Sequence, residues 1–260
     1  MQIHTVLTMD PLTGLCCISQ PNLIFRRQTL TFIGLIENIF KILGQYWYVF
    51  LVKGVGYTLL LSAIAVSFGA ILGSLFSIAK LSKIAPLRWI VTAIVEVVRG
   101  TPMLLQLYVG YFIVPMILNL NGMGASKQAF LCCSITLIIN SAAYVSEVIR
   151  SGIQAVDKGQ TEAARSLGLT SSTTMIKIVL PQAVKNILPA LGNEFVTVIK
   201  ETSLASTFFV GELMTSYLVV KGNTYLTFEC LFIVGAIYFI LTFTLSKILG
   251  AVERKMKAHA

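Results

Sequence analysis

Charged side chains are scarce in this chain, at 12% of 260 residues, while hydrophobic residues make up 56% and the mean hydropathy is +0.82. Ordinary soluble domains carry about 25% charged residues. The shortage of charge therefore excludes an ordinary soluble domain and predicts an all-α integral membrane protein.

Residues that usually carry catalysis or bind cofactors are also few. There are two histidines, His4 and His259, each near a terminus. They form no credible serine–histidine–acid set or metal cluster, and no G-x4-G-K-[ST] phosphate-binding loop occurs. We therefore expect no enzyme activity, no metal and no cofactor in this chain.

The five cysteines and the net charge of +9 have simple explanations. Cys16–Cys17 and Cys132–Cys133 are adjacent pairs, which lack the spacing of a zinc site. The basic residues lie in loops between apolar runs and form no stripe with exposed aromatics, so we expect no nucleic-acid binding. Their positions mark the cytoplasmic side of a membrane instead.

Apolar runs predict five membrane spans. They cover about 55–79, 89–120, 128–149, 186 to beyond 198, and 226–249. The distribution of basic residues places the N-terminus outside and the C-terminus in the cytoplasm, with Lys127 and Lys221 as exceptions.

The second span is too long for one straight crossing. It contains Gly100 and Pro102, which predict a bend. Glu96 and Arg99 are expected to pair with each other or to reach an interface. A bend beside a translocation path and a plain structural kink remain open.

A polar, basic and helix-prone segment, residues 152–189, lies between the third and fourth spans. Thr161 is expected to cap a first helix, with Glu162 in its first turn and Gly168 as its stop. A second short helix over 173–180 is expected to end before Pro181. Physical reasoning leaves open whether this loop is a docking surface or an ordered tie between two spans.

The loop resembles the EAA loop of ATP-binding cassette importer permeases. Glu162-Ala163-Ala164, Gly168 and Ile178-x-Leu180-Pro181 match the spacing EAA-x3-G-x9-I-x-LP. The flanking pairs Gly159-Gln160 and Gln182-Ala183 match the polar amino acid branch, the histidine and glutamine permease type. The resemblance implies a type I importer permease fold and an ATPase-coupling role for Gly159, Gln160, Glu162, Ala163, Ala164 and Gly168.

Further matches extend the resemblance over roughly residues 46–250. They are the RGTP–LLQ element, the AY-x2-E-x2-R pattern of Ala143, Tyr144, Glu147 and Arg150, and the Lys200-Glu201-Thr202-Ser203 step. A polar amino acid needs partners for its ammonium and its carboxylate. The candidate pathway residues are Asn140, Glu147, Lys200, Glu201 and Thr202. Two structural alternatives stay open: Glu147 can pair with Arg150, and the Lys200 step can be a salt-bridged helix break.

The resemblance also implies the setting of the chain. It would be a permease subunit in a bacterial inner membrane, with ATP and Mg on a separate cytoplasmic ATPase dimer. A second permease chain and an external amino-acid-binding protein would complete the importer. Two other classes stay open: a channel or secondary transporter acting alone, and a membrane scaffold or sensor that binds an ATPase without transport.

Three regions are expected along the chain. Residues 1–45 form an N-terminal extension, in which Leu30 to Leu43 is either an amphipathic helix on the membrane or a poorly ordered tail. Residues 46–250 form the permease domain, and residues 251–260 form a basic cytoplasmic tail.

Overall fold

The structure is a computed structural model that describes residues 32–82, 84–120 and 122–258, and these residues contain helices and no strand. The α-helices are α1 Phe32–Trp47, α2 Val55–Lys80, α3 Ala85–Gly100, α4 Met103–Leu118, α5 Ala125–Gln154, α6 Lys158–Ser166, α7 Ser171–Thr174, α8 Leu180–Glu201, α9 Leu213–Thr224 and α10 Thr227–Ala258. The predicted all-helical fold class is confirmed.

The first span is part of a much longer helix. A π-helical segment, Tyr48–Gly54, joins α1 to α2, so that Gly34–Lys80 is one helix of 47 residues. At 1.5 Å per residue it is about 70 Å long, against about 30 Å of hydrocarbon in a bilayer. The predicted boundary at residue 46 falls inside this helix.

Helix α1 is packed against the end of the chain. Ile42 lies in a buried cluster with Tyr217 of α9 and Cys230 of α10. The Asn38 side-chain amide also donates a hydrogen bond to Glu229 of α10, at 3.2 Å. The helix predicted in this region is thus present from Phe32 onward, while its placement on a membrane surface stays a prediction. Residues 1–31 of the predicted extension lie outside the described residues.

The centre of the bundle is the contact between α2 and α5, which run parallel. A Cβ on Gly69 would lie 2.7 Å from Ser141 Oγ, and one on Gly73 would lie 2.7 Å from the Ala142 carbonyl oxygen. Glycine at these two positions therefore lets the helix axes approach closely.

Among the described residues, three helices are long and apolar enough to span a membrane: Gly34–Lys80, Ala125–Gln154 and Thr227–Met256. Two bent helix pairs bring the number to five if each pair is one span. The chain changes direction by 114° between α3 and α4, at Thr101 and Pro102. The predicted bend in the second span is therefore confirmed. The chain changes direction by 46° between the segment Ser171–Phe208 and α9.

The fourth span changes its helix type at the Lys200 step. Helix α8 ends at Glu201, and Thr202–Phe208 continue as a 3-10 helix. Phe209 and Gly211 then take positive φ values of 51° and 99° before α9 begins. The predicted break in this span is confirmed, and it takes the form of a tightened turn followed by a bend.

Candidate functional site

The polar loop between the third and fourth spans contains a short, well-capped helix. The Asp157 carboxylate caps α6 by accepting a hydrogen bond from the Gly159 amide at 2.6 Å. The prediction that Thr161 caps this helix is wrong, because the helix already begins at Lys158. Glu162 consequently lies in the middle of α6 and not in its first turn.

The end of α6 follows the predicted stop. Gly168 has φ +82°, a conformation that glycine adopts without the steric cost of a Cβ atom. Its amide donates to the Arg165 carbonyl at 3.0 Å, and the Leu169 amide donates to the Ala164 carbonyl at 3.2 Å. These two bonds form a Schellman motif, which satisfies carbonyl groups at the end of the helix.

The two faces of α6 differ sharply in exposure. Gly159, Gln160, Glu162 and Ala163 are exposed, whereas Ala164 is 3% exposed. Leu167, at the tip of the turn, is 83% exposed, although it is apolar. Sequence reasoning missed Leu167, which lies between motif residues and has no special spacing of its own.

The helix after the turn does not end where the sequence predicts. The Thr170 hydroxyl caps α7, accepting from the Thr173 amide at 3.2 Å. A π-helical segment, Met175–Val179, then leads directly into α8, so the predicted helix end before Pro181 is wrong. Pro181 is the second residue of α8, which follows directly on the π-helical segment. The Gln182 side chain lies 3.4 Å from that of Gln160 and links α8 to α6.

A cluster of charges lies just before this loop, on α5. Glu147 is 16% exposed and accepts from Lys80 of α2 and from Arg150 of α5, whose Nη2 lies 2.8 Å away. Arg99 Nη1 of α3 lies 3.7 Å from the same carboxylate. The pairing with Arg150 is the structural alternative that the sequence leaves open for Glu147.

Arg99 has a different partner from the one expected. Its guanidinium lies near Glu147 and 5.6 Å from the centre of the Tyr144 ring, and Glu96 is exposed. Of the two alternatives expected for these residues, pairing of Arg99 with Glu96 is therefore wrong, and their reaching an interface stays a prediction. A tertiary contact, which local spacing does not reveal, decides the partner.

Asn140, two turns before Glu147 on α5, is tied to the bend in the second span. Its amide donates to Gln106 Oε1 at 2.9 Å. Gln106 Nε2 in turn lies 2.6 Å from the Val98 carbonyl and 2.9 Å from the Thr101 hydroxyl. Asn140 Oδ1 is buried and has no hydrogen-bond partner among the described residues. The glutamine of the LLQ element is thus the residue that fixes the bend, a role that the motif alone did not reveal.

The remaining pathway candidates lie on the fourth span. Lys200 is exposed, Glu201 is half-buried, and Thr202 is buried with its hydroxyl donating to the Ile199 carbonyl at 2.7 Å. Within the described part of the chain, no hydrogen bond or ion pair that we observe joins this step to Asn140 or Glu147. The five candidates thus lie on two elements: Asn140 and Glu147 are on α5, and the Lys200–Thr202 step is where α8 passes into the 3-10 helix.

Sequence reasoning missed the buried carboxylate of Glu212. Glu212 is fully buried and caps α9, accepting from the Thr215 amide at 2.7 Å and from the Tyr238 hydroxyl at 3.4 Å. The adjacent Leu213 amide donates to Thr58 Oγ1 of α2 at 3.1 Å. These contacts hold α2, α9 and α10 together. The acid followed by helix-forming residues after Gly211 was the signal available for a cap.

Known proteins resemble the chain over most of its length. The family described as "Binding-protein-dependent transport system inner membrane component" matches residues 65–258. The arginine transport system permease protein ArtQ of Bacillus subtilis is 40% identical over 81% of this chain and 94% of its own length. A putative glutamine transport system permease protein GlnP of Rickettsia felis is 42% identical over 80% of this chain and 93% of its own.

A solved structure shares the fold. The crystal structure of an amino acid ABC transporter with histidines contains a chain 42% identical to this one. The TM-score is 0.76, over 82% of this chain and 96% of that chain.

Proposed function

The chain belongs to the family of binding-protein-dependent transport system inner membrane components, and we propose on that premise that it conducts polar amino acids. It is the membrane-spanning permease subunit of an ATP-binding cassette importer. The arginine and glutamine systems among its relatives support a polar amino acid as the substrate class. The observation that carries the proposal is the exposed, capped helix α6, placed between two spans and carrying the EAA motif.

The coupling surface is the exposed side of α6. Glu162 and Ala163 point away from the chain and are available to an ATPase. Ala164 acts from inside, because its small side chain lets α6 lie close to the chain beneath it. Gly168 sets the turn that presents Leu167, and the exposed leucine is an apolar anchor for a partner surface.

The pathway candidates divide by role. Lys200 and Glu201 offer one charge of each sign at the break of the fourth span, which suits the carboxylate and ammonium of an amino acid. Broken helices frame substrate sites in other transporters. Thr202 supports this break, and Asn140 offers an unpartnered amide oxygen inside the bundle. Glu147, which binds three basic groups, organises the cytoplasmic end of the pathway.

The importer has further components in this proposal. Two cytoplasmic ATPase subunits bind ATP and Mg, a second permease chain completes the pathway, and an external binding protein delivers the amino acid. The chain lies in a bacterial inner membrane with α6 and the C-terminus on the ATPase side. ATP-driven closure of the ATPase dimer brings the two coupling helices together and reopens the pathway outward.

The test is to purify the tagged chain from its native membrane in mild detergent, with the importer intact, and to identify its partners by mass spectrometry. We expect a stoichiometric ATPase with a phosphate-binding loop. Reconstituted importer with its binding protein is expected to take up labelled arginine, glutamine or histidine only when ATP is supplied. Uptake that persists without any ATPase would contradict the proposal in favour of a channel or secondary transporter.

Gly168→Asp is the first variant to examine. A Cβ at φ +82° strains the Schellman turn, and the added carboxylate changes the charge of the coupling surface. We expect the variant to insert in the membrane but to lose most of its bound ATPase during co-purification. Normal association and normal uptake would remove Gly168 from the coupling surface.

A further inference from the structure

The first half of the second span, α3, has both ends close to the same side of the bundle. Its start follows Lys80, the last residue of α2, by a loop of four residues. Near its other end, Arg99 Nη1 lies 3.7 Å from Glu147, the same carboxylate that Lys80 contacts. A helix of 16 residues is about 24 Å long, so a helix that crossed the bilayer would carry Arg99 far from Lys80.

The contacts of the middle of α3 also indicate that it does not run alongside the bundle. Val91 and Val95 share a buried cluster with Ala143 of α5, and Phe76 and Ala79 of α2 pack against it. Phe76 and Ala79 belong to the last turns of α2, and Ala143 lies one turn before Glu147. The length of α3 therefore lies across the last turns of α2 and across α5 at Ala143 to Glu147, and not along either helix.

The side chains of α3 fall into three stripes at helical spacing. The buried stripe consists of Val91, Val95 and Val98. One flanking stripe is apolar and exposed, at spacings i, i+3, i+7 and i+10: Leu87, Ile90, Ile94 and Val97. The opposite stripe is polar, at spacings i, i+4, i+8 and i+11: Arg88, Thr92, Glu96 and Arg99.

This arrangement is the one that an interfacial helix requires. A helix that lies in the membrane surface needs an apolar side toward the hydrocarbon and a polar side toward water. A helix that crosses beside the bundle would instead expose apolar residues all round. Trp89, 72% exposed, lies between the two exposed stripes, where tryptophan favours the headgroup layer.

We propose that α3 is an interfacial helix, whose exposed side binds the phospholipid headgroup layer on the coupling-loop side of the membrane. Helix α4 alone then crosses the membrane in this region. Its 16 residues, with the extended Thr101–Pro102 step before them, span about 30 Å. The naming of that leaflet as cytoplasmic rests on the proposed function; the position of the helix in the membrane surface does not.

The test uses single cysteines in an otherwise cysteine-free full-length chain, assembled with its ATPase in inside-out membrane vesicles. A membrane-impermeant maleimide is added to three variants on the polar stripe: Arg88→Cys, Thr92→Cys and Glu96→Cys. We expect all three to react at rates within about threefold of each other, because they lie at one depth. Ile90→Cys and Ile94→Cys, on the apolar stripe, are expected to react at least tenfold more slowly.

Two control positions make the outcomes distinguishable. Lys255→Cys, exposed near the end of α10 and outside the coupling surface, reports the ATPase side, and Tyr225→Cys between α9 and α10 reports the opposite side. A reactive Lys255→Cys with a fall in labelling from position 88 to position 96 would overturn the interfacial helix and leave the proposed function intact. An unreactive Lys255→Cys beside a reactive Tyr225→Cys would overturn the proposed orientation instead.

A second copy of the chain is the other possible occupant of the exposed side. In that case the three polar-stripe cysteines would stay unlabelled in intact vesicles and would react only after detergent separates the subunits. That result would overturn the proposal. Transport activity of each variant shows that the chain is folded, so a negative labelling result counts against the interfacial position.

Discussion

The loop that carries α6 follows the Glu147 cluster of α5 along the chain, yet the loop and the cluster are stabilised in different ways. Helix α6 depends on local devices, the Asp157 cap and the Gly168 turn, and it leaves most of its side chains exposed. The Glu147 cluster joins α2, α3 and α5 through half-buried ion pairs. The loop thus leaves a surface exposed, which contacts an ATPase in the proposed function, while the cluster holds this chain together.

This difference explains which parts were predictable from the sequence. The spans, the bend at Pro102 and the stop at Gly168 follow from composition and from residues that act on their own neighbours. The pairing of Arg99 with Glu147 and the tie between Gln106 and Asn140 join residues far apart in the chain. The cap at Asp157 is local as well, but Thr161 has a side-chain oxygen that can cap a helix and lies closer to the motif, so the sequence does not distinguish the two.

The largest expected effect comes from Glu147→Gln. Loss of the carboxylate leaves Lys80 and Arg150 without their shared counter-charge, at a cost of about 3 kcal/mol in the free energy of unfolding. The measurement is thermal unfolding of the purified chain in detergent, together with the folded yield by size-exclusion chromatography.

Glu96→Gln is the matched control, because it removes an exposed acid from the neighbouring α3. Its unfolding free energy is expected to stay within about 0.5 kcal/mol of the parent. If the two variants unfold at the same temperature, the Glu147 cluster does not stabilise the bundle, and the contrast with the loop fails.

A smaller effect is expected from Gln106→Leu. The change leaves the Asn140 amide without its acceptor and frees the Thr101 turn, at a cost of about 1–3 kcal/mol. The double variant Gln106→Leu/Asn140→Leu removes both polar partners and is expected to recover part of that loss. Unfolding in denaturant measures the free energy of the double variant and of the two single variants. A loss in the double variant equal to the sum of the two single losses would show that the two side chains act independently.

The smallest effect on the chain itself is expected from Leu167→Ser on the loop. This side chain is 83% exposed, so the unfolding free energy should change by less than about 0.5 kcal/mol. Affinity for the ATPase should nevertheless fall by about 1–2 kcal/mol, since a buried leucine anchor is lost from the interface. Titration of purified ATPase against the reconstituted chain measures this, and unchanged affinity would exclude Leu167 from the docking surface.

The close contact of α2 with α5 at Gly69 and Gly73 has a mechanical consequence. Helix α5 runs without a break from Ala125 to Gln154, and α6 begins four residues later, so the coupling helix sits at one end of a stiff rod. A rod of 30 residues is about 45 Å long, and a tilt of about 10° about its coupling end moves its far end by about 8 Å. Because α2 packs along the same rod, a small rotation at the ATPase in the proposed importer would produce a larger displacement at the opposite face of the membrane.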